Sequence, residues 1–333
     1  MIEIQKCLDR EEWDEYVLEN DGHPLQLWGW GQVKAGHGWK ADRLFAYDSS
    51  DPDRIVAAAQ VLTRRLPYPL KAFSYVPRGP AGIDESNQES KEEFLDLIAE
   101  FSKREHSSVA ISIEPASKEF TVPLGWNRAQ NSILPSETVA LDLTLPESQL
   151  LADMAKKTRQ YIRKSAAEAV TIKRVQKPDE IKKILAIYHD TSKRAGFNLH
   201  SDQYYYDVAR SLEDNSLIYA TYEGDEPIAF LWLAISAHTA FELYGGVNER
   251  GQELRVNYAL KWHAIRKLKE WGLENYDFGG LISGGVSVFK QGWSETPTHL
   301  AGTFDKPLSP FYMMWTKWLP TAKKLVRAVK PKR

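Results

Sequence analysis

LIYATYEGDEPIAFLWLA, residues 217–234, is two apolar runs joined by a polar turn at Gly224-Asp225. Runs rich in β-branched and aromatic residues on either side of a short Gly-containing turn read as a β-hairpin. The same form occurs earlier in the chain, where LFAYD (44–48) leads through a polar turn into IVAAAQVL (55–62). A third strand follows each hairpin, KAFSYV (71–76) in one half and TAFELYGGV (239–247) in the other. Next comes a segment with helical spacing: SKEEFLDLIAEFSKRE (90–105) in the first half, NYALKWHAIRKLKEWG (257–272) in the second. In the second of these, Leu260, Ile265 and Leu268 recur on one face beside Trp262 and Trp271. A buried strand closes each unit, SVAISIEP (108–115) and ENYDFGGL (274–281). Five matched elements in one order predict a tandem α+β protein with mixed sheets flanked by helices. The seam is expected near residues 142–150, where LDLTLPESQLL passes from a strand through Pro146 into a helix. The expected domains are therefore 1–145 and 146–306.

Composition bounds the class. The 333 residues are 43% hydrophobic, and 43 Lys+Arg face 45 Asp+Glu, which is ordinary for a globular chain. A lone Cys7 excludes a disulfide framework and a multi-cysteine metal site. The start, MIEIQKCLDREEWDEY, is too charged for a secretory leader, and no apolar run approaches the roughly 18 residues of a membrane span. A reducing, cytoplasmic location is the expectation.

The near-neutral net charge conceals an asymmetry. Residues 154–177 hold eight Lys/Arg and one acid, Glu168, and the last 17 residues hold seven basic groups and no acid. In the first stretch Leu150, Leu151, Met154, Tyr161 and Ile162 mark the buried face of one helix, leaving Lys156, Arg159 and Arg163 together on another. In the second, Phe311, Trp315, Trp318, Ala322 and Leu325 form an apolar stripe that Pro320 interrupts. Such clusters are either solvated faces or sites for an anionic partner, RNA phosphates or lipid headgroups alike.

The usual catalytic signatures are absent: no HExxH, no GxxxxGK[ST], no GxGxxG opening a helix and no GxSxG. Eight histidines lie without ligand spacing, so no metal site is expected. The loop NERGQELRVNYALK (248–261) has one glycine, Gly251, where a loop binding the pyrophosphate of acetyl-CoA would have two. The remaining unusual stretch is YDFGGLISGGVSVFKQGW (276–293), whose glycines allow close approach of the backbone before Phe289-Lys290.

LQLWGWGQVK (25–34), YVPRGPAG (75–82), MAKKTRQYIRKSAAEAV (154–170), LYGGV (243–247), NYALKWHAIRKLKEWGLENYDFGG (257–280) and VFKQGW (288–293) together resemble the FemABX aminoacyltransferases. The resemblance runs in order along nearly the whole chain, and YDFGG followed by FKxGW is its most specific part. It implies two GCN5-acetyltransferase-like (GNAT-like) domains, in agreement with the repeat. It also implies the shorter, FemX-like form, because no heptad coiled-coil insertion is present. A C-terminal helix, 307–333, would return to pack on the first domain. The implied reaction moves an amino acid from aminoacyl-tRNA, a co-substrate in place of a cofactor, to an amine of the peptidoglycan stem peptide. Its acceptor would be lipid II or a UDP-linked precursor.

Carried over by position, Lys290 is implied to contact the ester carbonyl and Phe289 the tRNA 3′ end. Lys34 is implied to hold the acceptor's phosphates, and Tyr204 and Tyr244 to line the acceptor channel. His200, where relatives carry an arginine, and Glu114, where an Asp can occur, are further implied substrate contacts. Lys156, Arg159 and Arg163 are the expected tRNA contacts. The chain is expected to act as a monomer, with peripheral contact at the inner face of the membrane. Two other readings remain: an acyl-CoA-dependent N-acyltransferase on the same fold, and a non-catalytic RNA- or membrane-surface protein.

Overall fold

The structure, a computed structural model, describes residues 1–318 apart from 85, 130–131 and 282–284, with backbone alone at 317–318. The described residues form two compact units, one of residues 1–136 with 300–318, the other of residues 137–299. Among the described residues no helix is long and apolar enough to cross a membrane.

The first unit opens with β1 (Ile2–Lys6), α1 (Arg10–Glu19), α2 (Trp28–Gly36), β2 (Trp39–Asp48), β3 (Asp51–Arg65) and β4 (Ala72–Pro77). It continues through α3 (Gln88–His106), β5 (Ser108–Glu114) and β6 (Asn127–Arg128). The second contains β7 (Glu137–Thr138), β8 (Ala140–Asp142), α4 (Glu147–Ala152), α5 (Lys156–Ala166), β9 (Thr171–Arg174), α6 (Pro178–Ala195) and α7 (Asp202–Leu212). After these come β10 (Ser216–Glu223), β11 (Glu226–Ile235), β12 (Thr239–Val247), α8 (Glu249–Leu254), α9 (Val256–Glu270), β13 (Asn275–Asp277), α10 (Gly285–Gln291) and β14 (Thr298–His299). The chain then returns to the first unit as β15 (Phe304–Pro307).

The two main sheets match strand for strand. Their orders are β1-β2-β3-β4-β5-β15-β6 and β8-β13-β12-β11-β10-β9, the second being the first six strands of the first in reverse. In each, only the pair bracketing the crossover helix is parallel: β4 with β5 around α3, and β12 with β13 around α9. The β10–β11 hairpin closes at Glu223↔Glu226 around Gly224, whose φ of +61° suits glycine and explains its place in the turn.

The seam differs from the expected one. Residues 140–142 pair with β13, Asn275 opposite Asp142, so they belong to the second unit, and the division falls at 136/137. The first unit in turn takes its sixth strand from beyond the second, Phe304 opposite Ile113 and Pro307 opposite Ala110. In the second unit the corresponding strand, β8, precedes the rest of the sheet, whereas the first unit takes β15 from beyond the second. The described part of the C-terminal segment belongs to the first unit, with Trp315 stacked on Phe73 at 4.7 Å. Trp318, Pro320, Ala322, Leu325 and the basic tail lie outside the residues whose side chains are described.

Helical spacing places the cores. On α3, Phe94, Leu95, Ile98 and Phe101 are buried against the first sheet; on α9, Leu260, Ala264, Ile265 and Leu268 are buried against the second. Trp271, expected on that face, is 48% exposed. The basic segment forms two helices instead of one. Between α4 and α5, Ala155 N–H donates to Gly292 O at 3.0 Å and Glu295 N–H donates to Asp153 O at 3.1 Å, which fixes a joint there.

Candidate active site

The second unit builds its site on a turn that only glycine can make. Gly279 and Gly280 have φ of +76° and +93°. A Cβ on Gly279 would lie 2.3 Å from the main-chain oxygen of Glu242, so the turn lies directly on β12. Asp277 accepts from Gly279 N–H at 2.8 Å, and Thr138 Oγ1 accepts from Gly280 N–H at 3.0 Å, which locks the turn from both sides. Two carbonyls are thereby aimed at one point. Lys290 Nζ, arriving on α10, donates to the oxygen of Phe278 and to that of Gly280 at 2.9 Å. The FKQGW segment is anchored just beyond: Trp293 is fully buried, and a Cβ on Gly292 would press on Thr158 Oγ1 at 2.5 Å. Phe289 lies edge-on to Tyr258 at 4.9 Å and is partly exposed.

Beneath this turn is a group that sequence reading missed. Lys261 of α9, 5% exposed, pairs with Glu242 of β12, which also accepts from the Tyr276 hydroxyl. Its Nζ lies 4.4 Å from the Phe278 ring and 5.1 Å from the Phe289 ring, so this ammonium supports the two aromatic residues that flank Lys290. Burial pulls the Lys261 pKa down to about 8 against the pull of Glu242, while burial followed by the Glu242 charge holds the Tyr276 hydroxyl well above its usual range. A signal existed in the sequence. Lys261 is in register with Ala264, Ile265 and Leu268, and a lysine on a buried stripe calls for a carboxylate opposite.

The opposite face of the same sheet carries Tyr204, Tyr244 and His200. Glu242 and Tyr244 are two apart on β12, yet they serve opposite faces, because the pairing jumps from Trp232↔Tyr244 to Leu233↔Glu242 and leaves Leu243 bulged. His200 stacks on Tyr204 at 4.0 Å, and Tyr244 packs edge-on to Tyr205 at 5.0 Å. Tyr204 and Tyr244 hydrogen-bond to each other, and burial pushes the Tyr204 hydroxyl up to about 12.

The expected tRNA-contacting cations separate. Lys156 and Arg163 are exposed on α5. Arg159 is committed elsewhere: its Nη1 donates to the carbonyls of Leu151, Ala152 and Met154 at 2.7–3.0 Å, capping the end of α4. A second cation–aromatic cluster forms nearby, with the Arg255 guanidinium 4.1 Å from the Tyr161 ring and Tyr161 edge-on to Tyr258.

Lys34 and Glu114 belong to the first unit. Lys34 lies on α2 with Nζ 4.4 Å from the Trp30 ring, and desolvation lowers its pKa to about 8. The glycine of LWGWGQVK that matters here is Gly31, whose Cβ would strike the Gln60 side chain at 2.1 Å; its absence lets α2 lie against β3. Glu114 is 1% exposed and already holds four donors: the Tyr75 and Thr303 hydroxyls and the N–H groups of Ile133 and Leu134. It braces β4, β5 and the approach to β15, which leaves the proposed substrate contact without an open lone pair.

The loop that would bind a CoA pyrophosphate is closed on itself. Asn248 caps α8 by accepting from Gly251 N–H at 2.9 Å, and a Cβ on Gly251 would sit 2.4 Å from Ile228 O.

Comparison with known proteins agrees with this architecture half by half. The FemAB family model matches residues 8–123, and an acetyltransferase (GNAT) domain model matches residues 152–291. The chain is 21% identical to lipid II:glycine glycyltransferase of Staphylococcus aureus strain MRSA252, over 92% of this chain and 94% of that protein. Its fold matches the crystal structure of FemX with a TM-score of 0.83 at 18% identity, covering 95% of this chain and 100% of that one. A tandem GNAT protein of clavulanic acid biosynthesis matches with a TM-score of 0.54 at 10% identity, over 93% and 99% of the two chains. With matched sheets in both units and a fold that follows FemX over 95% of its length, the chain is built as two tandem GNAT-like domains and resembles the FemABX proteins.

Proposed function

We propose that the protein transfers an amino acid from aminoacyl-tRNA to an amine of a peptidoglycan precursor, on the path of interpeptide bridge formation. The observation that carries this reading is the Lys290 ammonium held by two main-chain carbonyls beside a part-exposed Phe289. An ammonium has three N–H donors. Two are given to Phe278 and Gly280, and the third is offered to the substrate. The acceptor amine attacks the ester carbonyl carbon, and negative charge gathers on the carbonyl oxygen, where Lys290 stabilises it. The C–O bond to the ribose then breaks, and the amine's proton ends on the departing hydroxyl. Fixing the cation in advance spares reorganisation during the reaction, an effect worth about 3–4 kcal/mol for one oxyanion donor. The ester is already activated, so orientation of the two substrates supplies much of the remaining acceleration.

The match to lipid II:glycine glycyltransferase supports a lipid-linked acceptor. Transfer assayed with charged tRNAs and both lipid-linked and UDP-linked acceptors, read by mass spectrometry, identifies the pair used. Lys290→Met is expected to lower the rate by about 10²–10³; a loss within about tenfold would remove the oxyanion role. Calorimetry with acetyl-CoA is expected to show no binding, since Asn248 occupies the Gly251 amide.

A further inference from the structure

The first unit ends on a feature that transfer chemistry does not use. The β3–β4 hairpin carries the sequence RRLPYPLK, residues 64–71, at one end of the sheet. Tyr68 at its tip is 92% exposed, between Pro67 and Pro69. The tip has few amides to desolvate: the prolines bring none, Leu66 N–H donates to Lys71 O at 2.8 Å, and Leu70 N–H donates to Pro67 O at 3.0 Å. At its base Arg64, Arg65 and Lys71 are exposed, and residues 64–71 contain no acid.

The strand register brings a second apolar group to the same end of the sheet. β4 begins here, Ala72 beside Ser108, and β15 finishes here, Pro307 beside Ala110. The chain leaving β15 carries Phe311, 44% exposed, and Met313, 51% exposed. Trp315 then stacks on Phe73, which pairs with Arg64. The neighbouring helix α3 also ends here, with Lys103 and Arg104 exposed in its last turn.

We infer that this end of the first unit docks on an anionic lipid bilayer, Tyr68 and its prolines entering the headgroup region while Arg64, Arg65 and Lys71 meet lipid phosphates. An amphipathic aromatic at the tip with cations behind it is the arrangement that interfacial proteins use. An RNA surface would favour the cations equally but gives no reason for an apolar, amide-poor tip. The inference complements a lipid-linked acceptor but stands on separate residues. Its assay involves no turnover, so docking and transfer can each fail alone.

The test is co-sedimentation of the full chain with phosphatidylglycerol and phosphatidylcholine vesicles. Binding to the anionic vesicles alone is expected, falling as salt rises. Each basic group near such a surface contributes roughly fivefold, so Arg64→Glu with Arg65→Glu is expected to weaken binding by at least about tenfold. Tyr68→Ser is expected to weaken it without changing the salt dependence. Tyr68→Cys bearing an environment-sensitive fluorophore is expected to shift to the blue on vesicles, Cys7 being buried. Vesicle binding unchanged in the charge-reversal variant overturns the inference. So does a fluorophore that stays solvated, or loss of RNA oligonucleotide binding with vesicle binding intact.

Discussion

Two lysines with depressed pKa values give the residue-scale chemistry its tests. Lys261 and Glu242 are a buried pair with side chains 7% and 9% exposed, and breaking such a pair costs about 3–5 kcal/mol because one charge is left uncompensated. Lys261→Met is therefore expected to be strongly destabilising, and Lys261→Met with Glu242→Leu to recover most of the loss. A urea-denaturation double-mutant cycle measures the coupling, and simple additivity would refute it. Lys34 makes a pH prediction. Desolvation holds it at about 8 in the folded protein against an ordinary 10.5. Below pH 8 the lysine is charged in both states, and its burial counts in full against folding. Between pH 8 and 10.5 the unfolded chain holds the proton that the folded protein has released, so stability rises with pH. Lys34→Met is expected to reduce that slope between pH 8 and 10.

Element-scale geometry decides where these side chains act. The Lys290 cradle exists because β13 ends in a left-handed Gly279-Gly280 turn pressed on β12, so Gly279→Ala is expected to lower both thermal stability and transfer activity. Gly285 opens α10 with nothing within 4 Å of its Cβ direction, and Gly285→Ala is expected to leave the melting temperature within about a degree. Equal effects of the two substitutions would mean that the turn does not set the site. This turn was legible in sequence as a glycine cluster ahead of Phe289-Lys290, as were the hairpins, because a two-residue turn and its flanking apolar runs are local signals. Other features depended on distant partners. Leu243 gives no sign of a bulge, and strand alternation alone would put Glu242 and Tyr244 on one face, whereas the bulge sends them to opposite ones. Arg159 read as part of a basic face because the carbonyls it caps appear only once the helix breaks at residues 153–155.

At the scale of the whole chain the repeat was legible and the recruitment of β8 and β15 was not. β8 and β15 are three and four residues long, too short to carry a period, and each is recruited by a sheet on the other side of a long stretch of sequence. Because only the first unit takes a strand from beyond the other, the two are unequal as independent folding units. Residues 137–299 contain every strand of their main sheet and a core closed by Leu260, Ile265, Tyr276 and Trp293. Residues 1–136 alone would lack Phe304, which is fully buried in their core, and Asp305, which accepts from Ser112. They would also lack Thr303, one of the four donors to Glu114, and would present the edge of β5 unpaired. A fragment of residues 137–299 is therefore expected to unfold cooperatively with dispersed amide resonances. A fragment of residues 1–136 is expected to aggregate, and to regain solubility when residues 300–318 are fused through a flexible linker or supplied as a peptide. A soluble, cooperatively folding 1–136 fragment would show that β15 is an accessory to that sheet and no part of what stabilises it.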